Sequence, residues 1–266
     1  MPELPDLHIF SENLNKRLPD RIISSVTVYN TRKIATPDYY RKNMEGSSIS
    51  GIVRDGKELF FNLANGNCFA VHLMLHGGFF IGGWEEAEKV KGKILGLGFE
   101  TETPDNTEFF LIADVQNLCR VSWNPKPGRV PDAMSEKFTL KYFLSGIKRN
   151  ELRNIKTLLV DQSLVRGIGN AYADEILWKA GISPESFSGK IPEVKLKELY
   201  EAIPAVFNDA IQNIRKISPD IISGEERSFM RVHIKDREYN DEGEKIIIKT
   251  IGEKSTYFTA KQIKYM

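Results

Sequence analysis

The opening residues Met1-Pro2-Glu3 hold the residue types that amine catalysis needs. If Met1 is removed, Pro2 presents a secondary amine, and an ordinary α-amino group loses its proton at about pH 7.7–8.0. A neutral amine attacks electrophilic carbon and forms a Schiff base, and Glu3 would bring a carboxylate to the same reacting centre. Proline is also a common second residue that can simply begin a strand or helix. Since short motifs match by accident, the rest of the chain must decide.

The composition narrows the classes of protein open to this chain. Its 266 residues suit one large or two modest domains, and 41% hydrophobic residues can fill a buried core. A net charge of +1 means that any contact with nucleic acid must rest on local positive patches. Neither a membrane-spanning run nor a signal peptide is evident. The cysteines, Cys68 and Cys119, are too few for a disulfide framework or a four-cysteine zinc site, so we expect reduced thiols in the cytoplasm.

The hydrophobic periodicity predicts an N-terminal helix and then a β-rich region. Leucines and a phenylalanine form one stripe over Asp6–Leu18, and Asp6 can cap this helix. Short β-rich runs separated by turn residues follow: Ile22–Tyr29, Ser47–Arg54, Glu58–Leu63, Cys68–Leu73, Gly77–Ile81, Lys93–Phe99 and Glu108–Asp114. This pattern favours an antiparallel sandwich or barrel.

The second half of the chain changes to a helical period. Three prolines and a glycine within residues 124–132 predict a linker. Helices are expected to begin near Ser135 and to cover Leu152–Asp161, Ala171–Ala180 and Val194–Ile217, with Pro204 kinking or restarting the last of them. The final 40 residues return to strands, Phe229–Lys235 and Lys245–Ile251, with Asn240–Gly243 as a hairpin tip.

A glycine-rich turn between two of these helices is a second group with chemical potential. Gly167-Ile168-Gly169-Asn170 lies in the string Asp161–Glu175. Such a turn can direct backbone N–H groups and the Asn170 amide at one point, and with the helix dipole this makes a phosphate site. An ordinary helical hairpin capped by glycine is the alternative.

Taken together, Asp161–Glu175 and the opening Pro2-Glu3-Leu4-Pro5 resemble the Fpg/Nei family of bifunctional DNA glycosylases. The stretch Leu158–Pro184 is similar to that family's helix–two-turn–helix signature, and the resemblance runs along the whole chain. It implies an α+β fold, whose parts follow in chain order. They are an N-terminal catalytic β-sandwich domain with a helix over 1–123, a linker over 124–134, a helix–two-turn–helix DNA-binding domain over 135–225 and a hairpin finger over 226–266.

The resemblance implies a mechanism that needs no cofactor. Pro2 would attack C1′ of a damaged nucleotide, displace the base and form an iminium, and β- and δ-elimination would then cut the strand. Glu3 would act in acid–base steps and in ring opening. Asp6 stands where the family usually has glutamate, so its carboxylate is shorter by one methylene and its catalytic role is less certain.

The resemblance also implies contacts with DNA. Lys57, in Asp55-Gly56-Lys57-Glu58, matches a phosphate-contacting turn lysine, although most hairpin-tip lysines are simply solvated. Lys156 matches another DNA-contacting lysine, although a solvated helix face explains it equally well. Gly169 and Asn170 match the phosphate-binding turn, and Lys254 stands in the place of a finger arginine. A surface lysine on a strand is the alternative for Lys254.

Two loops match those that fill the gap left by a flipped base. Alignment puts Leu75 at one wedge position and Met74 just before it, and a buried apolar pair in a strand is the alternative. In the second loop Gln116 replaces an arginine that would pair with the orphaned base. Asn117 replaces a phosphate-binding arginine, and Leu118 replaces an aromatic wedge. The loss of two positive charges from this loop puts affinity and the preference for the opposite base in doubt.

The C-terminal finger departs from the four-cysteine zinc pattern. No cysteine occurs in Arg231–Phe258, and His233 alone cannot form a closed zinc site. The chain resembles zincless-finger variants, which predicts a hairpin held by packing, with no metal.

The implied partner is damaged double-stranded DNA. The resemblance implies that a monomer binds it and that no membrane is involved. The implied activity is excision of oxidised bases with cleavage at abasic sites, and a short segment Ile217–Arg227 hints at oxidised pyrimidines. The substituted positions 116, 117 and 254 keep an alternative open, a protein of this fold that binds damaged or abasic DNA with little or no turnover. An abasic-site lyase with little base excision lies between these two. The resemblance leaves the preferred lesion and opposite base undetermined.

Overall fold

The computed structural model describes residues 1–101 and 107–266, which divide into two compact units. The sandwich unit comprises Met1–Pro2, Asp6–Pro127 and Ser218–Glu225. The helical unit comprises Glu3–Pro5, Gly128–Ile217 and Glu226–Met266. In the part of the chain that is described, no helix is both long and apolar enough to cross a membrane.

The helices and strands alternate in the first half of the chain and separate in the second. The helices are α1 Leu4–Asn15, α2 Pro37–Met44, α3 Trp84–Lys89, α4 Leu140–Lys148, α5 Ile155–Leu159, α6 Asn170–Lys179 and α7 Glu193–Ile217. The strands are β1 Ile23–Val28, β2 Ile49–Asp55, β3 Glu58–Leu63, β4 Cys68–His72, β5 Gly78–Gly82, β6 Lys93–Glu100, β7 Thr107–Ala113, β8 Arg120–Trp123, β9 Ile246–Ile251 and β10 Lys254–Thr259.

The sandwich unit contains two four-stranded antiparallel sheets, ordered β1-β6-β7-β5 and β2-β3-β4-β8. Alternating side chains from both sheets enter one apolar core. The rings of Phe61 and Phe69 stack there, with their centroids 4.7 Å apart. All seven β-rich runs became strands, so the predicted antiparallel sandwich is confirmed. The sequence reading missed β8, which has only four residues, and the short helices α2 and α3.

The first helix begins earlier than its sequence pattern predicts. It starts at Leu4 and ends at Asn15, not at Asp6 and Leu18. Pro5 fits the first turn of a helix, where backbone N–H groups have no partner within the helix. Asp6 therefore lies inside the first turn, and the prediction that it caps the helix is wrong.

The helical unit packs α4 to α7 around a second apolar core. The Thr139 side chain caps α4 by accepting a hydrogen bond from Tyr142 N, and Asn154 caps α5 in the same way from Lys156 N. The predicted helices thus begin later, at Leu140 and Ile155. Helix α7 runs as one element from Glu193 to Ile217 with Pro204 inside it, so the predicted restart at Pro204 is wrong.

The C-terminal strands pair differently from the prediction. Asn240–Gly243 does form a turn, closed by an antiparallel bridge between Tyr239 and Lys245. Strand β9, however, pairs with β10 in a further antiparallel hairpin, whose tip is Gly252-Glu253. Both tip residues have positive φ, 54° and 64°, as a two-residue type I′ turn requires. The strand predicted over Phe229–Lys235 is absent from this described segment. Here the N–H groups of Arg231, Val232 and His233 donate to a side chain, the Glu175 carboxylate, and not to a neighbouring strand.

Candidate active site

Pro2 is buried in the sandwich unit, and its nitrogen is an amide in the chain that begins at Met1. The Met1 ammonium donates to Glu225 Oε1 at 2.8 Å and forms an ion pair with it. A terminal cation is therefore already held by a carboxylate of the same unit. Removal of Met1 transfers the chain terminus to the Pro2 nitrogen.

The carboxylate of Glu3 is buried at the start of helix α6. Its Oε1 accepts from Ala171 N at 3.0 Å and its Oε2 from Tyr172 N at 3.4 Å. The first N–H groups of a helix lack partners within the helix and favour negative charge. The carboxylate that follows Pro2 is thus fixed by backbone groups, which hold a side chain in one geometry.

Gly169 allows this close approach of Glu3. A Cβ placed on Gly169 would lie 2.2 Å from the Glu3 carboxyl carbon. Gly167 has φ +104°, and a Cβ there would lie 2.5 Å from Leu4. Side chains at either position would displace Glu3 or the residue after it, so this turn requires both glycines.

Asn170 begins α6, but its amide group is already engaged. Its Nδ2 donates to the Ser255 carbonyl at 2.8 Å, which joins α6 to β10. Its Oδ1 is buried and accepts no hydrogen bond within the described residues. The N–H groups of Ala171 and Tyr172 donate to Glu3, so they do not form the open phosphate cradle that the sequence suggested.

Lys57 lies in the β2–β3 turn and is not a solvated hairpin lysine. The turn pairs Asp55 with Glu58, and Gly56 has φ 62°. Only 9% of Lys57 is exposed, which is rare for a lysine. The turn therefore holds the ammonium group in a defined place in the sandwich unit.

His72 and Arg120 accompany Lys57, and the sequence analysis assigned neither of them a role. They are paired residues of the neighbouring strands β4 and β8. Burial is the largest cause that lowers the pKa of His72, and together with the positive charges of Arg120 and Lys57 it brings this pKa to about 4. His72 Nδ1 accepts from Met74 N at 3.0 Å, so the neutral ring carries its proton on Nε2. The cross-strand register, which a linear sequence does not display, brings these three residues together as a basic cluster.

The loop after β4 exposes the side chain of Leu75 and partly buries that of Met74. Met74 is half-buried with φ 56°, whereas Leu75 is 50% exposed. Neither residue lies in a strand, because β4 ends at His72. Leu75 is thus the more accessible of the two predicted wedge residues.

Asp114 organises the second loop of the sandwich unit. Its carboxylate accepts from the N–H groups of Gln116, Leu118 and Cys119 at 2.7–2.9 Å. Burial alone would raise the pKa of Asp114, but these three hydrogen bonds outweigh burial and the pKa is lowered. A buried anion therefore fixes the loop's backbone.

This fixed loop exposes the side chains predicted to enter the duplex. Gln116 is exposed and Leu118 is 38% exposed. Asn117 has φ 54°, and its Oδ1 accepts from Asn30 Nδ2 at 2.8 Å. Asn117 therefore shapes the loop, while Gln116 and Leu118 point to solvent.

Asp6 and Lys156 are both buried, in different units. Asp6 is fully buried in the first turn of α1, within the sandwich unit. Lys156 is 1% exposed in the helical unit, and its Nζ lies 2.7 Å from Asp174 Oδ1. Burial lowers the pKa of Lys156, and the Asp174 carboxylate opposes that shift. Lys156 is thus not on a solvated helix face.

The hairpin carries Lys254 at the exposed start of β10. The residues around this hairpin do not fit a structural zinc ion. In residues 1–101 and 107–266, no group of three or more His, Cys, Asp or Glu side chains could hold a metal. His233 directs its Nδ1 at Asp174 Oδ2, 2.7 Å away, so this nitrogen is already engaged by a carboxylate.

Comparisons with known proteins agree along the chain. Residues 1–121 match the formamidopyrimidine-DNA glycosylase N-terminal domain, and residues 130–219 match the formamidopyrimidine-DNA glycosylase H2TH domain. A formamidopyrimidine-DNA glycosylase of Listeria monocytogenes is 31% identical over 222 residues, which cover 79% of this chain and 78% of that protein.

Solved structures of Lactococcus lactis enzymes are similar over nearly the whole chain. Formamidopyrimidine-DNA glycosylase bound to DNA containing an abasic site has a TM-score of 0.84 at 25% identity, covering 99% of this chain and 100% of that chain. The same organism's enzyme bound to DNA containing an oxidised pyrimidine has a TM-score of 0.83 at 26% identity, covering 97% and 98%. The two domain matches, the relative and the shared fold lead to one conclusion: the chain belongs to the formamidopyrimidine-DNA glycosylase family.

Proposed function

We propose that this protein is a base-excision-repair DNA glycosylase with lyase activity at abasic sites. It acts on oxidised bases in double-stranded DNA. One observation carries the proposal: the carboxylate directly behind Pro2 is buried and held by the N–H groups of Ala171 and Tyr172. A merely structural N-terminus has no need of a preorganised carboxylate beside a potential amine nucleophile.

The reaction begins when the neutral amine of Pro2, freed by removal of Met1, attacks C1′ of the damaged nucleotide. The bond from C1′ to the base breaks and the base leaves with the electron pair. Ring opening gives an iminium between Pro2 and C1′. Loss of a C2′ proton then expels the 3′ phosphate in β-elimination, δ-elimination expels the 5′ phosphate, and water releases Pro2. Glu3 serves the proton transfers and the ring opening, and Asp6 is a second carboxylate near the nucleophile in sequence.

The basic cluster is suited to a phosphate beside the lesion. Lys57 supplies a fixed ammonium group, and Arg120 supplies an exposed guanidinium. The neutral His72 can donate from Nε2 at physiological pH, because its pKa is about 4. In the helical unit Gly169 and Asn170 form the turn, and Lys254 offers a second cation to the DNA backbone. Lys156 acts indirectly, since its ammonium is buried.

We propose that Leu75 is the main wedge into the duplex and that Leu118 supports it, with Met74 packed behind Leu75 as its base. Flipping a base costs a few kcal/mol of stacking, and apolar wedges recover part of that cost. Gln116 faces the orphaned base. We expect a monomer that works on cytoplasmic DNA, at the nucleoid if the organism is bacterial, with no metal or organic cofactor.

A base-release assay tests this function. Duplexes containing either 8-oxoguanine or an oxidised pyrimidine are incubated with wild-type protein and with Glu3→Gln, and free base and nicked strand are measured separately. We expect wild type to release an oxidised base and to nick the strand, and Glu3→Gln to be impaired in base release. Tight binding of both duplexes without release or nicking would favour the binding protein instead. Nicking of preformed abasic sites alone would favour the lyase.

A further inference from the structure

We infer that Asp174 is a positioning residue whose buried carboxylate holds the hairpin β9–β10 to helices α5 and α6. Three groups from three different segments converge on its two oxygens. All of these contacts lie within the helical unit. We call Asp174 and the three groups that it contacts, Lys156, His233 and Tyr257, the clamp. The clamp does not depend on the proposed function, whereas the link from the hairpin to DNA rests on it.

Both oxygens of Asp174 are engaged. Oδ1 lies 2.7 Å from the Lys156 ammonium of α5. Oδ2 lies 2.7 Å from His233 Nδ1 and accepts from Tyr257 N of β10 at 2.9 Å. The Asp174 side chain is 0% exposed, so these contacts form away from water, where charged hydrogen bonds are strong.

Lys156 extends the hold along β10. Its Nζ donates to Thr256 Oγ1 at 2.7 Å and to the Ser255 carbonyl at 3.3 Å. Asp174 therefore reaches β10 twice, directly through Tyr257 and indirectly through Lys156. Glu175 adds a neighbouring contact by accepting the N–H groups of residues 231–233.

The hairpin needs such contacts because it buries little apolar surface. A two-stranded hairpin is at best marginally stable alone in water. In β9 only Ile246 is buried, and Ile248 is 56% exposed. In β10 the buried side chains are Thr256, Phe258 and Thr259, of which only Phe258 is strongly apolar. The sequence expectation that packing holds this hairpin is therefore incomplete, since a buried ionic network contributes to the hold.

The clamp also fixes groups that the proposed function uses. The Ser255 carbonyl accepts from Asn170 Nδ2 as well as from Lys156. Lys254 precedes Ser255 in β10. A loosened clamp would thus displace Lys254 relative to Asn170 and the start of α6, and a phosphate bound by Lys254 would be held more weakly.

Substitution of Asp174 by asparagine keeps the shape but leaves the buried Lys156 ammonium without its counter-charge. Removal of one partner of a buried pair is far more damaging than removal of an exposed pair. The same hairpin offers a matched control, because Lys249 of β9 pairs with Glu185 at 3.1 Å with 50% and 25% of the side chains exposed. Glu185→Gln therefore removes an ionic contact to the same element without stranding a buried charge.

Hydrogen exchange of the free, full-length protein tests the clamp without DNA. We expect Asp174→Asn to lower protection of the amides that pair β9 with β10 by about 100-fold or more, while those of β3 keep theirs. Glu185→Gln should change hairpin protection by no more than about threefold. Equal, small changes in both variants would overturn the inference.

Two further variants decide the matter if Asp174→Asn unfolds the whole helical unit. Thr256→Val removes the hydroxyl that accepts from Lys156 and donates to the Lys254 carbonyl, and we expect it to lower hairpin protection about tenfold. Lys156→Met/Asp174→Asn removes both charges, and we expect it to restore protection relative to Asp174→Asn alone. An unchanged hairpin in Thr256→Val, together with no restoration in the double variant, would contradict the clamp.

Binding to an abasic duplex separates the clamp from the function. If Asp174→Asn loosens the hairpin and wild type binds and cuts DNA, we expect the variant to bind at least tenfold more weakly. If the hairpin loosens but wild type shows no activity, the proposed function fails while the clamp stands. If wild type is active and the hairpin stays protected in Asp174→Asn, the clamp fails alone.

Discussion

Lys57 and Lys156 are both buried lysines, yet the charged groups recorded near them differ. Lys57, in the sandwich unit, lies near the neutral His72 and the cation Arg120, and the two positive charges lower the pKa of that histidine. Lys156, in the helical unit, lies 2.7 Å from the carboxylate of Asp174. The positive charges of Lys57 and Arg120 together attract an external anion, whereas the ion pair of Lys156 with Asp174 joins two helices of the same unit. The environment, not the residue type, is therefore the basis for proposing that Lys57 binds DNA and that Lys156 positions the hairpin.

The largest expected effect is on stability, in Lys156→Met. This change leaves the buried Asp174 carboxylate without its ammonium, so we expect the helical unit to lose about 3–5 kcal/mol of unfolding free energy. Urea denaturation followed by Trp178 fluorescence, in a Trp84→Phe/Trp123→Phe background, measures it. A loss below about 1 kcal/mol would contradict the claim that the pair of Lys156 and Asp174 stabilises the helical unit.

The next largest expected effect is on DNA affinity, in Lys57→Met. We expect a roughly 30-fold weaker affinity for an abasic duplex, because one charge-assisted phosphate contact is lost. Fluorescence anisotropy measures the affinity, with the exposed Lys89→Met of α3 as control. Equal affinities for Lys57→Met and Lys89→Met would contradict the proposed phosphate contact of Lys57.

The depressed pKa of His72 predicts a pH dependence of stability. Between about pH 4 and pH 6.5 the unfolded chain binds this proton more readily than the folded chain, so stability is full above pH 6.5 and falls as the pH is lowered towards 4. Proton binding by His72 in the unfolded chain should therefore lower the free energy of unfolding by about 2 kcal/mol when the pH falls from 7 to 5. Urea denaturation at both pH values, followed by Trp123 fluorescence, measures it. His72→Gln should lose less stability over that interval, and an identical loss would contradict the assignment.

The smallest expected effect is in Arg120→Gln, which tests whether Arg120 contributes a phosphate contact to the basic cluster. Within the described residues the Arg120 guanidinium has no hydrogen bond or ion pair, so its removal should leave stability unchanged. If it contacts one phosphate, the slope of log affinity against log salt should shrink by about 0.7–0.9, with affinity about fivefold lower at low salt. Arg41→Gln, whose guanidinium already pairs with Asp38, is the control. The same slope in both variants would contradict a phosphate contact by Arg120.

The sequence predicts the sandwich well because alternation of apolar residues is a local signal. Strand β3 has the predicted bounds, Glu58–Leu63, and the other six runs differ by a few residues. The hairpin was misassigned because Gly252-Glu253 lacks the usual Asn-Gly signal and because Asn240 forms a turn of its own with Glu244. Phe229–Lys235 alternates like a strand, but its N–H groups donate to Glu175 of a distant helix.

The candidate site divides in the same way. The sequence locates Pro2, Glu3, Lys57 and Asn170, because motifs carry residue type and order. It does not reveal His72 and Arg120 as neighbours of Lys57, because that depends on the register of β4 with β8. Nor does it reveal that Lys156 is buried, because its partners Asp174 and Thr256 lie 18 and 100 residues further along the chain. Long-range pairing decides what these side chains contact, and periodicity carries no information about it.

Borohydride trapping on a duplex with one abasic site tests the central claim most directly, that the Pro2 amine is the nucleophile. Wild-type protein whose Met1 is absent by intact mass is compared with Pro2→Gly and with protein that retains Met1. We expect a covalent adduct from the first, an adduct reduced by at least about a thousand-fold from Pro2→Gly, and none from protein with Met1, whose Pro2 nitrogen is an amide. Tight binding without an adduct from the processed wild type, or an undiminished adduct from Pro2→Gly, would contradict the account.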